Sequence, residues 1–218
     1  MSESFSPKAV LWDLDGVLVD TGEFHYQSWV QSLAEIGISF DRPTFQRLFG
    51  LNNANTLETI LGSPLPPELI ERLGGRKEAL FRQMIHGQAQ PLPGVRLWLA
   101  RLKATGVLQA VASSAPQANI DALVDELGLR SYFAVLVSGE CLPAKPDPAV
   151  FLAAACQLGV LPEDCLIIED SLVGVEAAHR AGMKCMAVTS THPASALQAA
   201  DLVLERLDCL PTDTFDIH

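Results

Sequence analysis

Long apolar runs are missing from this chain. None approaches the roughly 20 consecutive apolar residues of a membrane helix, so no spanning helix is expected. The opening residues, MSESFSPKAV, lack the basic start and apolar centre of a secretory leader, and a cytoplasmic protein is expected. Basic residues are scarce: 15 Lys and Arg stand against 26 Asp and Glu, a net charge of −11. That field repels nucleic acid and anionic membranes, so neither is an expected partner. An anionic substrate would have to be held by a local site. Cysteines are few and odd in number: Cys141, Cys156, Cys165, Cys185 and Cys209 include no CxxC pair. A disulfide framework or a cysteine metal site is therefore not expected. Most of the five lie in apolar stretches and read as reduced packing residues. Internal repeats and low-complexity tracts are absent as well.

What the chain does have is apolar content and alternation. Hydrophobic residues make up 49% of its 218 positions, enough for a sizeable core and against disorder. The length suits one large domain, or a core carrying a smaller insert. Short apolar runs predict strands at 8–13, 108–113, 133–137, 165–168, 184–188 and 202–204. Helical patterns lie between them at 116–127, 148–158, 172–181 and 193–200. Gly128, Gly159 and Gly182 follow the first three, and Asp147 with Pro148 forms an N-cap and first helical position. Apolar strands alternating with helices imply a parallel sheet covered on both faces. The expected fold class is α/β, a Rossmann-like doubly wound parallel sheet.

Residues 21–90 read differently, without a strand pattern. Helical patterns cover 23–36, ended by Gly37; 43–48 and 53–61, each followed by a glycine; and 66–85, where Gly74-Gly75 predicts a break. Pro64, Pro66 and Pro67 mark a loop, and 88–94 a linker. The expected organisation is an α/β core of residues 1–20 and 91–218 with an inserted all-α cap at 21–90.

Chemistry concentrates at the ends of the expected strands. The first strand runs into Asp13-Leu14-Asp15-Gly16. Buried carboxylates are costly unless a cation or hydrogen bonds hold them. In an extended segment, residues two apart point the same way, so Asp13 and Asp15 are expected to face one site. Two acids there suggest a metal, a nucleophile, or both. Ser113 and Ser114 end the next strand, Lys145 precedes the Asp147-Pro148 helix start, and Glu169-Asp170 follow Leu166-Ile167-Ile168. Ligands of open α/β sheets bind outside these carboxyl ends. Taken singly, each residue has an ordinary explanation as a turn, cap or surface group. Four such explanations at four strand ends are a poor account of the set. Converging carboxylates repel, by about 4 kcal/mol for a pair 4 Å apart at an effective dielectric of 20. An oxygen-only set suits Mg²⁺, which binds through a few carboxylates and a substrate phosphate. Lys145 and Ser113 can hold the remaining phosphoryl oxygens.

DLDGVLVD, the Ser113 of VASSA, the Lys145 of AKPDP and the Glu169-Asp170 of IIEDS together resemble the four motifs of the haloacid dehalogenase-like superfamily, in order and over essentially the whole chain. The helical insert resembles the cap of its β-phosphoglucomutase-like and phosphoglycolate-phosphatase-like subgroup. The resemblance implies that Asp13 is a nucleophile and Asp15 a general acid and base. It implies that Ser113, with Ser114 beside it, and Lys145 bind phosphate. Mg²⁺ would be held by Asp13, the backbone carbonyl of Asp15 and Asp170, with Glu169 nearby. Asp15 itself argues for phosphoryl transfer and against dehalogenation.

The insert decides the substrate. His25, in DGVLVDTGEFHYQSW, matches the β-phosphoglucomutase-like pattern, in which such a histidine helps couple cap closure to proton transfer. Lys77, in GGRKEALF, matches a cap lysine of that pattern, although a solvated helix charge is the plainer reading. Asn53 stands where a mutase would carry an arginine, and Gln117 near where it would carry a lysine. An amide grips a second phosphate far less well than a guanidinium. The expected activity is Mg²⁺-dependent hydrolysis of a small phosphorylated metabolite such as a sugar phosphate, by a monomer or small homo-oligomer. The alternatives are a phosphomutase of the β-phosphoglucomutase type and, behind it, a non-catalytic phosphate-binding regulator.

Overall fold

The computed structural model describes residues 6–48, 51–211 and 214. The described residues divide into two compact units, one drawn from Met1–Asp20 with Ala89–His218 and the other from Thr21–Gln88.

The first unit is built on a parallel sheet that has six strands among the described residues. These are β1 (Ala9–Trp12), β2 (Leu108–Ser113), β3 (Val135–Ser138), β4 (Cys165–Glu169), β5 (Lys184–Val188) and β6 (Leu202–Leu204). Their spatial order is β3-β2-β1-β4-β5-β6. β1 is central, with Trp12 level with Val111 of β2 and Ile168 of β4. From β1 the chain builds outward through β2 and β3, then returns to β4 on the other side. Ligand crevices of open α/β sheets form at such a reversal, outside the carboxyl ends of the two strands beside it.

β1 and β4 are buried at every position, as strands covered on both faces require. On one face, Ala9, Leu11, Ala110, Ala112 and Ile167 pack with Phe151 and Ala154 of α7 (Ala149–Leu158) and Val175 and Ala178 of α8 (Leu172–Arg180). Elsewhere in this core, Trp12 Nε1 donates to Gln109 Oε1 (3.2 Å), and Gln109 Nε2 donates to the Leu99 carbonyl (3.0 Å). Leu99 belongs to α5 (Val95–Ala104), a helix not anticipated from the sequence. Its buried residues Val95, Trp98, Leu99 and Leu102 follow the i, i+3, i+4, i+7 pattern of an amphipathic helix. α6 (Gln117–Glu126) completes this unit's longer helices.

The helix expected at 193–200 is not formed. Isolated turn bonds replace it: Ala196 N–H to the Pro193 carbonyl (2.9 Å), Leu197 to Ala194 (3.2 Å) and Ala200 to Leu197 (3.0 Å). Within 193–200 only Leu197 is buried, so no apolar stripe offsets the cost of nucleating a short helix.

The second unit is all helical: α1 (Gly22–Ala34), α2 (Arg42–Leu48), α3 (Asn53–Leu61) and α4 (Pro67–Ile85). Trp29, Leu33, Phe40, Phe45, Leu57 and Leu73 form its core. The break expected at Gly74-Gly75 does not occur, and α4 runs unbroken for 19 residues. Each interior glycine costs about 1 kcal/mol relative to alanine. Burial of Leu73, Leu80, Phe81 and Ile85 contributes about 1.5–3 kcal/mol apiece and outweighs that cost. Gly74 also leaves room for the Asn53 side chain, whose amide nitrogen lies 3.1 Å from where a Cβ would stand. Gly62 ends α3 as expected, whereas Gly50, expected to follow α2, lies outside the described residues.

Candidate active site

Asp13 follows directly on β1, and its N–H still donates to the Ile168 carbonyl of β4 (3.0 Å). Strand geometry ends there. The Leu14 carbonyl accepts from Leu18 N–H (2.9 Å), and Gly16 N–H donates to the Val19 carbonyl (2.8 Å), closing a turn. Asp13 and Asp15 are therefore not successive same-face residues of one strand, as the spacing suggested. They are neighbours across the entry to a turn, near enough for the charge of Asp15 to raise the Asp13 pKa. Gly16 makes the turn possible. Its φ is +82°, and a Cβ there would meet Asp170 Oδ2 at 2.0 Å.

Lys145 ties the two central strands together. Its Nζ donates to Asp13 Oδ1 and to Glu169 Oε1, both at 2.6 Å, and lies 4.7 Å from the centre of the Phe151 ring. Burial alone would lower the lysine's pKa, but the charges of Asp13 and Glu169 hold it above its ordinary value. Glu169 is 1% exposed. Its Oε2 accepts from Asp170 N–H (2.7 Å), Ser171 N–H (2.8 Å) and Ser171 Oγ (3.0 Å). Burial opposes its ionisation, but Lys145 and these N–H donors more than offset that, so its pKa is lowered. Ser171 caps α8 in turn, accepting from Gly174 N–H (3.0 Å).

Asp13 and Asp170 behave in the opposite way. Burial, opposed by Lys145, pushes Asp13 up to about 7, with Glu169 and Asp15 adding repulsion. Burial also pushes Asp170 up to about 8, with repulsion from Glu169 and Asp13 and opposition from a Thr191 hydrogen bond. Three buried carboxylates thus lie near one ammonium, which bonds Asp13 and Glu169 but not Asp170. Asp13 Oδ2 and Asp170 Oδ1 accept no hydrogen bond among the described residues. No group of three or more His, Cys, Asp or Glu side chains is arranged to hold a metal ion among the described residues. What remains is two carboxylates with one open oxygen apiece. That donor set fits Mg²⁺, which binds through one or two carboxylates and keeps several waters.

Ser113 ends β2, and its Oγ accepts from Ala115 N–H (3.1 Å). The hydroxyl's own proton has no acceptor among the described residues. Ser114, grouped with it from the sequence, is exposed. Gln117 opens α6 and donates to Asp121 Oδ2 (3.2 Å). The Asp147 carboxylate accepts from Ala149 N–H (3.0 Å), but α7 begins one residue later than expected, with Pro148 at the N-cap position and Asp147 before it.

The sequence reading missed a third group of residues at this edge. Thr191 Oγ1 donates to Asp170 Oδ2 (2.6 Å), and the Ser190 hydroxyl donates to the Gly16 carbonyl. His192 Nδ1 lies 2.9 Å from Thr191 Oγ1. The signal was present: a polar run follows the apolar residues of β5, as polar residues follow β1, β2 and β4.

In the helical unit, the structure brings His25, Lys77 and Asn53 together around Glu78. Lys77 Nζ is 2.8 Å from His25 Nδ1 and 2.9 Å from Glu78 Oε1, and Asn53 Nδ2 donates to the same oxygen at 2.9 Å. His25 stacks on Phe81 with ring centres 4.2 Å apart. Lys77 is 3% exposed, which corrects its reading as a solvated charge: Glu78, His25 and the rings of Trp29 and Phe81 surround it. A second correction concerns the cysteines. Only Cys165 and Cys185 are buried, while Cys141, in the loop after β3, Cys156, on α7, and Cys209 are exposed.

A doubly wound α/β sheet with acids and a bridging lysine at the carboxyl ends of its central strands, interrupted after β1 by a helical unit, defines a Rossmann-like enzyme scaffold. Within that class, the chain belongs to the haloacid dehalogenase-like hydrolases, whose family model matches residues 10–188. It is 33% identical over 202 residues to the chloroplastic 5-amino-6-(5-phospho-D-ribitylamino)uracil phosphatase of Arabidopsis thaliana, covering 91% of this chain but 54% of that protein's length. It is 36% identical over 208 residues to the β-phosphoglucomutase of Bacillus subtilis, covering 91% of this chain and 89% of the relative. The crystal structure of CbbY from Rhodobacter sphaeroides in complex with phosphate superposes with a TM-score of 0.83 at 26% identity, over 93% of this chain and 95% of that one. Among the described residues no helix is long and apolar enough to cross a membrane.

Proposed function

We propose that this chain is a Mg²⁺-dependent phosphomonoester hydrolase of a small phosphorylated metabolite, a sugar phosphate or a similar compound. One observation carries the reading: a buried ammonium is shared at 2.6 Å by Asp13 and Glu169, while Asp13 and Asp170 each keep one oxygen uncommitted. Asp13 attacks phosphorus through a carboxylate oxygen, forming an aspartyl-phosphate and breaking the bond to the leaving oxygen. Asp15 protonates that oxygen, then takes a proton from the water that hydrolyses the aspartyl-phosphate. Lys145 keeps an ammonium hydrogen beyond the two it gives to carboxylates, and Ser113 keeps its hydroxyl proton. Both can hold phosphoryl oxygens. Mg²⁺, held by Asp13, Asp170 and the Asp15 carbonyl, would offset charge on the transferring group. We assign the helical unit the role of cap, with His25, Lys77 and Asn53 as its candidate substrate contacts.

The test is phosphate release from an aryl phosphate and from a panel of phosphorylated metabolites. Asp13→Asn is expected to abolish turnover while thermal unfolding stays cooperative, and chelation of divalent cations to abolish wild-type turnover. Undiminished, chelator-insensitive turnover by Asp13→Asn would overturn the mechanism. The 36% identity to a β-phosphoglucomutase favours a second reading, a phosphomutase. That activity would interconvert hexose 1- and 6-phosphates with a bisphosphate activator and release little phosphate. The Asn53 amide, tied to Glu78, weighs against it.

A further inference from the structure

The segment after β5 holds both acidic turns of the site from one side. Asp170 Oδ2 takes the Thr191 hydroxyl at 2.6 Å and has Ser190 Oγ at 3.5 Å, while Oδ1 has no partner among the described residues. Thr191 Oγ1 also lies 3.0 Å from the Asp170 carbonyl, which His192 Nδ1 approaches at 3.2 Å. His192 Nδ1 is 2.9 Å from Thr191 Oγ1, so a donor from the ring can leave the threonine proton for the carboxylate. The Ser190 hydroxyl donates to the Gly16 carbonyl, one residue beyond Asp15. The Thr191 methyl lies 3.1 Å from where a Gly16 Cβ would stand, so the same residue packs against that turn.

A carboxylate can rotate and offer either oxygen. Here one oxygen is committed to a hydroxyl and the other is left open. We infer that Thr191 is a positioning residue for the divalent cation: its hydroxyl pins Oδ2 of Asp170 and thereby presents Oδ1, while Ser190 fixes the Gly16 turn that carries Asp15. Partners of this kind, which touch a metal's ligand and not the metal, tune affinity by orienting the ligand. The inference rests on the reading that Asp13 and Asp170 hold Mg²⁺, and it can be measured without substrate or turnover.

The experiment is calorimetric titration of Mg²⁺ into metal-free wild type, Thr191→Val and Thr191→Ser, with thermal unfolding of each in chelator. Valine keeps the branched shape and removes the hydroxyl; serine keeps the hydroxyl. Thr191 is exposed, so neither change disturbs the core. Thr191→Val is expected to weaken Mg²⁺ binding about tenfold or more, the range seen when such partners are removed. Thr191→Ser is expected to stay within about twofold of wild type and to melt with it in chelator, whereas Thr191→Val, which also loses the hydroxyl's bond to Asp170, melts somewhat lower but still cooperatively. Wild-type affinity in Thr191→Val would overturn the inference and leave the hydrolase reading standing. Equal losses in both variants would assign the effect to packing and overturn it too. A wild type that does not bind Mg²⁺ would overturn both.

Discussion

Replacing Gly174 by alanine sets two effects against each other, and magnitudes decide between them. Gly174 lies inside α8, where helix propensity alone favours alanine by about 1 kcal/mol. The added Cβ would, however, stand 1.9 Å from both Cδ and Oε1 of Glu169. The end of a glutamate side chain ordinarily moves aside at little cost. This one is held by Lys145, by Asp170 and Ser171 N–H and by the Ser171 hydroxyl, at 2.6–3.0 Å. Forcing a carbon into filled space costs about 1–3 kcal/mol. Each hydrogen bond lost by a charged group costs about 1.5–3 kcal/mol. If Glu169 surrenders one such bond, Gly174→Ala loses a net of about 2–5 kcal/mol, the propensity gain included. For a chain of this size that is a fall in Tm of about 4–20 °C. Glu169 also positions Lys145, so kcat against an aryl phosphate should fall while the helix content seen by circular dichroism is kept. A variant as stable as wild type or more so, with unchanged kcat, would show that propensity outweighs the clash and that the Glu169 position is not tightly held.

With divalent cations chelated, Asp13 and Asp170 carry folded-state pKa values of about 7 and 8, above the unfolded 3.8. Groups that bind protons more tightly when folded contribute stability at low pH that is lost as pH rises through the folded values. Metal-free protein should therefore lose stability from about pH 4 to pH 8, and saturating Mg²⁺ should flatten that limb; identical melting profiles in chelator and in Mg²⁺ would refute this. Glu169, whose pKa is lowered, has the opposite sign, and its contribution is lost only as pH falls below its unfolded 4.5. A thiol reagent should label Cys141, Cys156 and Cys209 in the native protein and all five cysteines in denaturant, because Cys165 and Cys185 are buried. Burial also pushes the Cys165 thiol up to about 11, further slowing its reaction. In the helical unit, Glu78→Ala removes a carboxylate partner of nearly buried Lys77 and should cost up to about 3–5 kcal/mol in urea unfolding; a change under about 1 kcal/mol would show that the pair is not held in solution.

Much of the core was legible from one-dimensional information. Apolar runs such as 9–12 and 165–168 have nowhere to go but a sheet covered on both faces, and the helices between them force the strands parallel. Polar residues that follow such runs must sit at the sheet's carboxyl edge, which is why Asp13, Ser113 and Glu169-Asp170 could be singled out without coordinates. α5 escaped notice because its apolar spacing follows a loop that reads as linker, and Thr191 because a threonine after a strand looks like a turn residue.

The sequence by itself determined the class of sheet, the family motifs and the acids at the strand ends. Those follow from local apolar patterning and from the cost of burying charge. Only the tertiary structure decided which groups touch. Lys145 reaches Asp13 across 132 positions of sequence to neutralise it. α4 runs straight through Gly74-Gly75 because buried neighbours outweigh two glycines, and 193–200 fails as a helix because it buries too little. Lys77 is buried among aromatic rings although its neighbours in sequence are polar. Contact energies arise between segments distant in sequence, and propensities of about 1 kcal/mol per residue yield to them.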